Sequence, residues 1–74
     1  MLVTIIYNTE FGAEAGSLKG ALREEWSDVK VNKMGIHNTI NNAKYQVQLN
    51  GSIVYTGTRA GDNDTIINSI KERL

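Results

Sequence analysis

The side chains that could do chemistry are few, and most are carboxylates. Glu10 and Glu14 lie four apart, and Asp62 and Asp64 two apart, each pair beside a segment with helical character. Brought to one end of a sheet, these groups could hold a divalent cation through oxygen ligands or divide acid–base work between them. The structural alternative is simpler and is preferred. Asp62 and Asp64 suit a helix N-cap, and Glu10 and Glu14 stand where a helix dipole favours negative charge. His37 is the only imidazole. Its neighbours Asn38, Asn41 and Asn42 are poor metal ligands, so a solvated loop histidine is expected. Thr9, Gly12, Gly16 and Ser17 could present backbone N–H groups and hydroxyls to an anion at a helix start, although Glu10 and Glu14 would repel phosphate. Cysteine is absent. That removes thiolate nucleophiles, disulfides and Cys-based metal centres, and neither a metal nor a cofactor is expected.

Those residues need elements to position them. Residues 2–7 (Leu-Val-Thr-Ile-Ile-Tyr) form a nearly continuous β-branched apolar run, which predicts a central strand covered on both faces. Leu18, Leu22 and Trp26 recur every four residues, with Ala15 on the same face, and predict a helix that starts near Gly12 or later with Ser17 as N-cap. Residues 29–31 predict a short strand, and residues 32–42, rich in Asn, a connection containing at most a loose helical turn. Residues 45–49 alternate cleanly, Asn50-Gly51 signals a hairpin, and residues 52–56 return. A three-residue loop, 49–51, pairs Val47 with Ile53 and Tyr45 with Tyr55 and keeps one face apolar, so it is favoured over a two-residue turn. Ile66, Ile67, Ile70 and Leu74 form the stripe of a last helix behind the Asp62–Asp64 caps.

The resulting order, β-α-β-β-β-α, predicts a two-layer α/β sandwich with a four-stranded mixed sheet and two helices, in one domain spanning 1–74. A ferredoxin-like layout would need one more strand. Length and charge agree with a small globular domain: 74 residues, 41% apolar, with eight basic and eight acidic side chains cancelling. The basic residues are scattered, so nucleic-acid binding is not expected. The apolar run at 2–7 is too short to span a membrane and has no basic flank, which predicts neither signal peptide nor anchor and a cytoplasmic location.

The first strand ending at Tyr7, Gly12 five residues on, the pattern Tyr45-x-Val47-x-Leu49-x-Gly51-x-Ile53-Val54, and Gly61-Asp62 before the last helix together resemble the selenoprotein W-like (Rdx) family. The resemblance covers nearly the whole chain and implies a compact thioredoxin-like fold of the same element order. It also implies thiol redox chemistry at a Cys-x-x-Cys or Cys-x-x-selenocysteine motif just after the first strand. Here that stretch reads Asn8-Thr9-Glu10-Phe11: Asn8 replaces the first cysteine and Phe11 the second. Neither side chain can form a thiolate or a mixed disulfide, so the family's chemistry does not carry over. The expectation is a redox-inactive interaction or adaptor module whose protein partner meets the loop after the first strand, with Phe11, Gly12 and Ser17 as its surface. The alternatives are a cysteine-independent ligand or enzymatic site on that loop, and a small nucleic-acid-binding domain. A monomer or weak homodimer is expected.

Overall fold

The apolar run at the start of the chain becomes a central strand, but one covered by helices on a single face rather than on both: Val3 and Ile5 are buried in the core while Leu2 on the other face is exposed. In the computed structural model, which describes residues 1–74, β1 (Leu2–Asn8) pairs in parallel with β2 (Lys30–Ile36) and antiparallel with β3 (Tyr45–Leu49). β3 in turn pairs antiparallel with β4 (Ser52–Gly57), giving the sheet order β2-β1-β3-β4. A 3-10 turn at Thr9–Phe11 leads into α1 (Gly12–Glu25), and α2 (Asn63–Lys71) follows β4. The order and the two-layer α/β architecture match the expectation. No helix is long and apolar enough to cross a membrane.

Side chains alternate along a strand, so Val3 and Ile5 share one face of β1 as Tyr45, Val47 and Leu49 share one face of β3. They are buried together with Ala15, Leu18 and Leu22 of α1 and Ile66, Ile67 and Ile70 of α2. Both helices therefore cover the same face. Burying each such large aliphatic side chain contributes about 1.5–3 kcal/mol. Two placements differ from the helical periodicity. Leu74 lies beyond the end of α2 and is exposed rather than part of the stripe. Trp26 is the C-cap of α1, with extended backbone, yet its side chain still packs on the core.

The middle of the chain departs most from expectation. Residues 32–36 are not a connection: they extend β2 to seven residues, paired along the whole of β1. The true connection, residues 37–44, is closed by a tight turn. Asn41 (φ 52°) and Asn42 (φ 65°) are both left-handed, and Ile40 and Ala43 exchange backbone hydrogen bonds of 2.8 and 2.9 Å around them. This is a primed hairpin turn, which asparagine tolerates better than other non-glycine residues. The main hairpin also corrects the favoured register. Asn50 (φ 50°) and Gly51 (φ 90°) make a two-residue turn between Leu49 and Ser52. Gln48 opposes Ile53, but Val47 opposes Tyr55 and Tyr45 opposes Gly57, leaving Val54 as the extra residue of a bulge. The bulge, and not a longer loop, restores the apolar face.

Candidate functional site

The loop after β1 is held by its own first residue. The Asn8 side-chain oxygen accepts from the Glu10 N–H at 3.0 Å and caps the 3-10 turn. Its amide nitrogen donates to the carbonyls of His37 and Asn38, at 3.3 and 3.0 Å. Asn8 thus clasps the loop after β1 to the connection that follows β2. Glu10 turns to Lys44, with 2.7 Å between carboxylate and ammonium, so it leaves the other carboxylates. Both side chains are well solvated, and such a pair contributes little to stability.

Phe11 is half-buried, and its ring stands edge-on to Tyr45, with centroids 6.1 Å apart. Tyr45 meets Tyr55 in the same way, again at 6.1 Å. The two contacts link the start of α1 through β3 to β4. The Tyr55 hydroxyl donates to the Arg59 carbonyl at 2.9 Å, folding the segment before α2 around its ring. Gly61 is needed there, because a Cβ on it would lie 2.8 Å from the ring of Tyr55. The Tyr45 hydroxyl is buried and has no hydrogen-bond partner. Burial chiefly, then the negative charge of Glu14 and then Tyr55, push its pKa up to about 12.

Between the start of α1 and the segment leading into α2 lie two adjoining clefts. One, of about 420 Å³, is polar and lined by Glu14, Ser17 and the residues from Gly61 to Asp64. The other, of about 560 Å³, is lined by Phe11, Glu14, Arg59, Ala60, Gly61 and Asp62. The floor is fixed by structural bonds. The Asp62 carboxylate accepts from the Thr65 N–H at 3.2 Å and from its hydroxyl at 3.3 Å, capping α2. Asn63 donates to the Ser17 hydroxyl oxygen at 3.0 Å, tying the two helices together.

The fold therefore brings together Glu14, Asp62 and Asp64, with Phe11 and Ser17 beside them, and leaves Glu10 outside. No three of the acidic and histidine side chains converge as a metal-binding group. Ser17 is not an N-cap. It lies inside α1, which begins at Gly12, so its N–H and that of Gly16 are spent on the helix ladder and the proposed anion cradle is not assembled. Thr9 and His37 are exposed, and neither lines a cleft. Arg59 and Ala60 are not marked as a site by the sequence. The available signal is the spacing of Gly57 and Gly61 after Tyr55, two glycines bracketing a segment that must wrap an aromatic ring. No protein-family model, no curated protein and no solved structure matches this chain.

Proposed function

We propose that this chain is a redox-silent, thioredoxin-like interaction domain acting in the cytoplasm, built on the plan of the selenoprotein W-like proteins that it resembles and stripped of their thiol chemistry. One observation carries the reading. The two positions that would bear the reactive pair are part of the scaffold, Asn8 as a three-way hydrogen-bonded clasp and Phe11 as the first ring of an aromatic stack. The element order agrees with the one that the resemblance implies. The large exposed apolar side chains Leu2, Met34 and Ile53 support a role in contact rather than catalysis.

The test uses the motif positions. In a dithiothreitol-driven insulin-reduction assay the natural chain should give the blank rate, and robust turnover would overturn the redox-silent reading. The double variant Asn8→Cys/Phe11→Cys should form a disulfide between positions 8 and 11 and reduce insulin above the blank. Failure of that disulfide to form in a folded double variant would count against the thioredoxin-like plan. A second reading, a cysteine-independent ligand site, has the polar cleft beside Glu14 and Ser17 in its favour.

A further inference from the structure

β2 is an end strand of the sheet, and one side of its backbone has no partner. Lys30 donates its N–H to the Met1 carbonyl at 3.0 Å. In a parallel ladder a residue directs both its N–H and its C=O to the same side, and the next residue directs both to the other. Asn32, Met34 and Ile36 share the parity of Lys30 and face β1. Val31, Lys33 and Gly35 therefore point their N–H and C=O groups outward, and no hydrogen bond from another segment reaches them. This edge carries neither proline nor bulge, in contrast to β4 with its displaced Val54.

Charge distinguishes this edge as well. Lys44 and Lys71 are paired, with Glu10 and Glu25, which leaves six of the eight basic side chains free of ion pairs. Lys30 and Lys33 lie on β2 itself. On α1, Ser17 and Glu25 contact α2, and Ala15, Leu18 and Leu22 face the core. At about 100° per residue, Lys19 and Arg23 fall on the opposite flank of the helix, away from α2 and towards β2. Three free cations, Lys19, Arg23 and Lys33, thus share the helix-covered side of this edge, Lys30 stands on its open side, and Asp28 in the preceding turn is the acidic neighbour. The clustered carboxylates Glu14, Asp62 and Asp64 lie on the far side of α1. Net charge is zero, but its distribution is not even.

We propose that the β2 edge docks an extended acidic segment of a partner protein as a fifth strand of the sheet. The outward N–H and C=O groups of Val31, Lys33 and Gly35 supply the ladder, and Lys19, Arg23 and Lys33, on one side of it, select the charge. The same lysines work against a second copy of this chain, because pairing two β2 edges sets one lysine-bearing strand against another. A polyanion such as DNA would use the cations and leave the backbone groups unsatisfied, so a peptide strand fits more of what the edge offers.

The experiment is an NMR titration of the isotopically labelled full chain with an eight-residue peptide alternating glutamate and valine, with amide exchange measured at saturation. The exchange of the Val31, Lys33 and Gly35 amides should slow by about tenfold or more. A peptide alternating lysine and valine should leave them unchanged. Lys33→Glu and, separately, Lys19→Glu should each weaken binding of the acidic peptide by roughly tenfold while the thermal melt stays in place. Protection at the β4 edge, shifts without slowed exchange of the three amides, displacement of the peptide by a short DNA duplex at equal charge, or unaltered affinity in both lysine variants would each overturn the proposal.

Discussion

The two faces of the sheet are made from the same strands and do different things. On the face beneath the helices, Val3, Ile5, Tyr45 and Val47 have no solvent exposure and join one continuous core with α1 and α2. The other face has no helix over it. Alternation places Leu2, Thr4 and Ile6 of β1, Met34 of β2, Gln46 and Gln48 of β3 and Ile53 of β4 there. Ile6 and Gln46 are buried outside the main core, while Leu2, Met34 and Ile53 are 40, 48 and 43% exposed. One face has spent its apolar surface on folding. The other has kept much of it unspent, mixed with amides and hydroxyls that keep it wettable.

The sharpest way to break this contrast is to empty the covered face. Leu22 is fully buried between α1 and the sheet. Leu22→Ala should cost about 2–5 kcal/mol, the transfer energy of the lost methyl groups plus the cavity left behind. For a chain of this length that is a large part of a total stability on the order of 4–11 kcal/mol. Urea unfolding followed by circular dichroism measures it directly. A loss below about 1 kcal/mol would mean that the helix-covered face is not the principal core.

Much of the covered face could be read in the sequence, because burial imposes a period. The β-branched run of β1, the four-residue recurrence of Leu18 and Leu22, and the Ile66–Ile67–Ile70 stripe behind Asp62 all report that face. β2 beyond Val31 could not be read the same way. Residues 32–36 lie on an exposed edge, and their strand conformation comes from pairing with β1 rather than from any pattern of their own. The hairpin shows a different limit. A consistent apolar face was the right criterion, but a bulge at Val54 satisfies it as well as a longer loop would, and no residue type marks the bulge. At the cleft, the carboxylates were visible individually. Their partition, with Glu10 to Lys44 and Glu14 towards Asp62, depends on the path of the chain after β1.

A smaller effect should come from the polar group buried within the covered face. Tyr45 is held neutral with its pKa near 12, above the unfolded value of 10. Between those values the unfolded chain has lost the proton and the folded chain keeps it, so the unfolded state is the one favoured as pH rises. The Tyr45 contribution is therefore intact below pH 10 and is lost progressively between about pH 10 and 12, on the order of 1–3 kcal/mol. Tyr45→Phe removes an unpartnered hydroxyl. It should leave the chain at neutral pH as stable as before, or more stable by about 1 kcal/mol, and remove most of the alkaline loss. Urea midpoints at pH 9 and pH 11.5 for both chains decide this. Equal alkaline losses in the two would mean that Tyr45 does not sense the core.

The smallest effect should come from the open face, and its smallness is the informative part. Met34 and Ile53 are nearly half exposed and stand outside the buried core. Folding therefore recovers only part of their transfer energy, and threonine has the β-branched shape that a strand prefers. The double variant Met34→Thr/Ile53→Thr should change stability by no more than about 0.5 kcal/mol, the ordinary range of a surface substitution. A loss of 2 kcal/mol or more would show that these side chains belong to a second core, and the contrast between the faces would fail. If the loss is small, exposed apolar side chains on that face are not explained by the stability of the domain. Their presence then has to be explained by what the face meets, and the same variant, folded and equally stable, becomes the reagent for asking what that is.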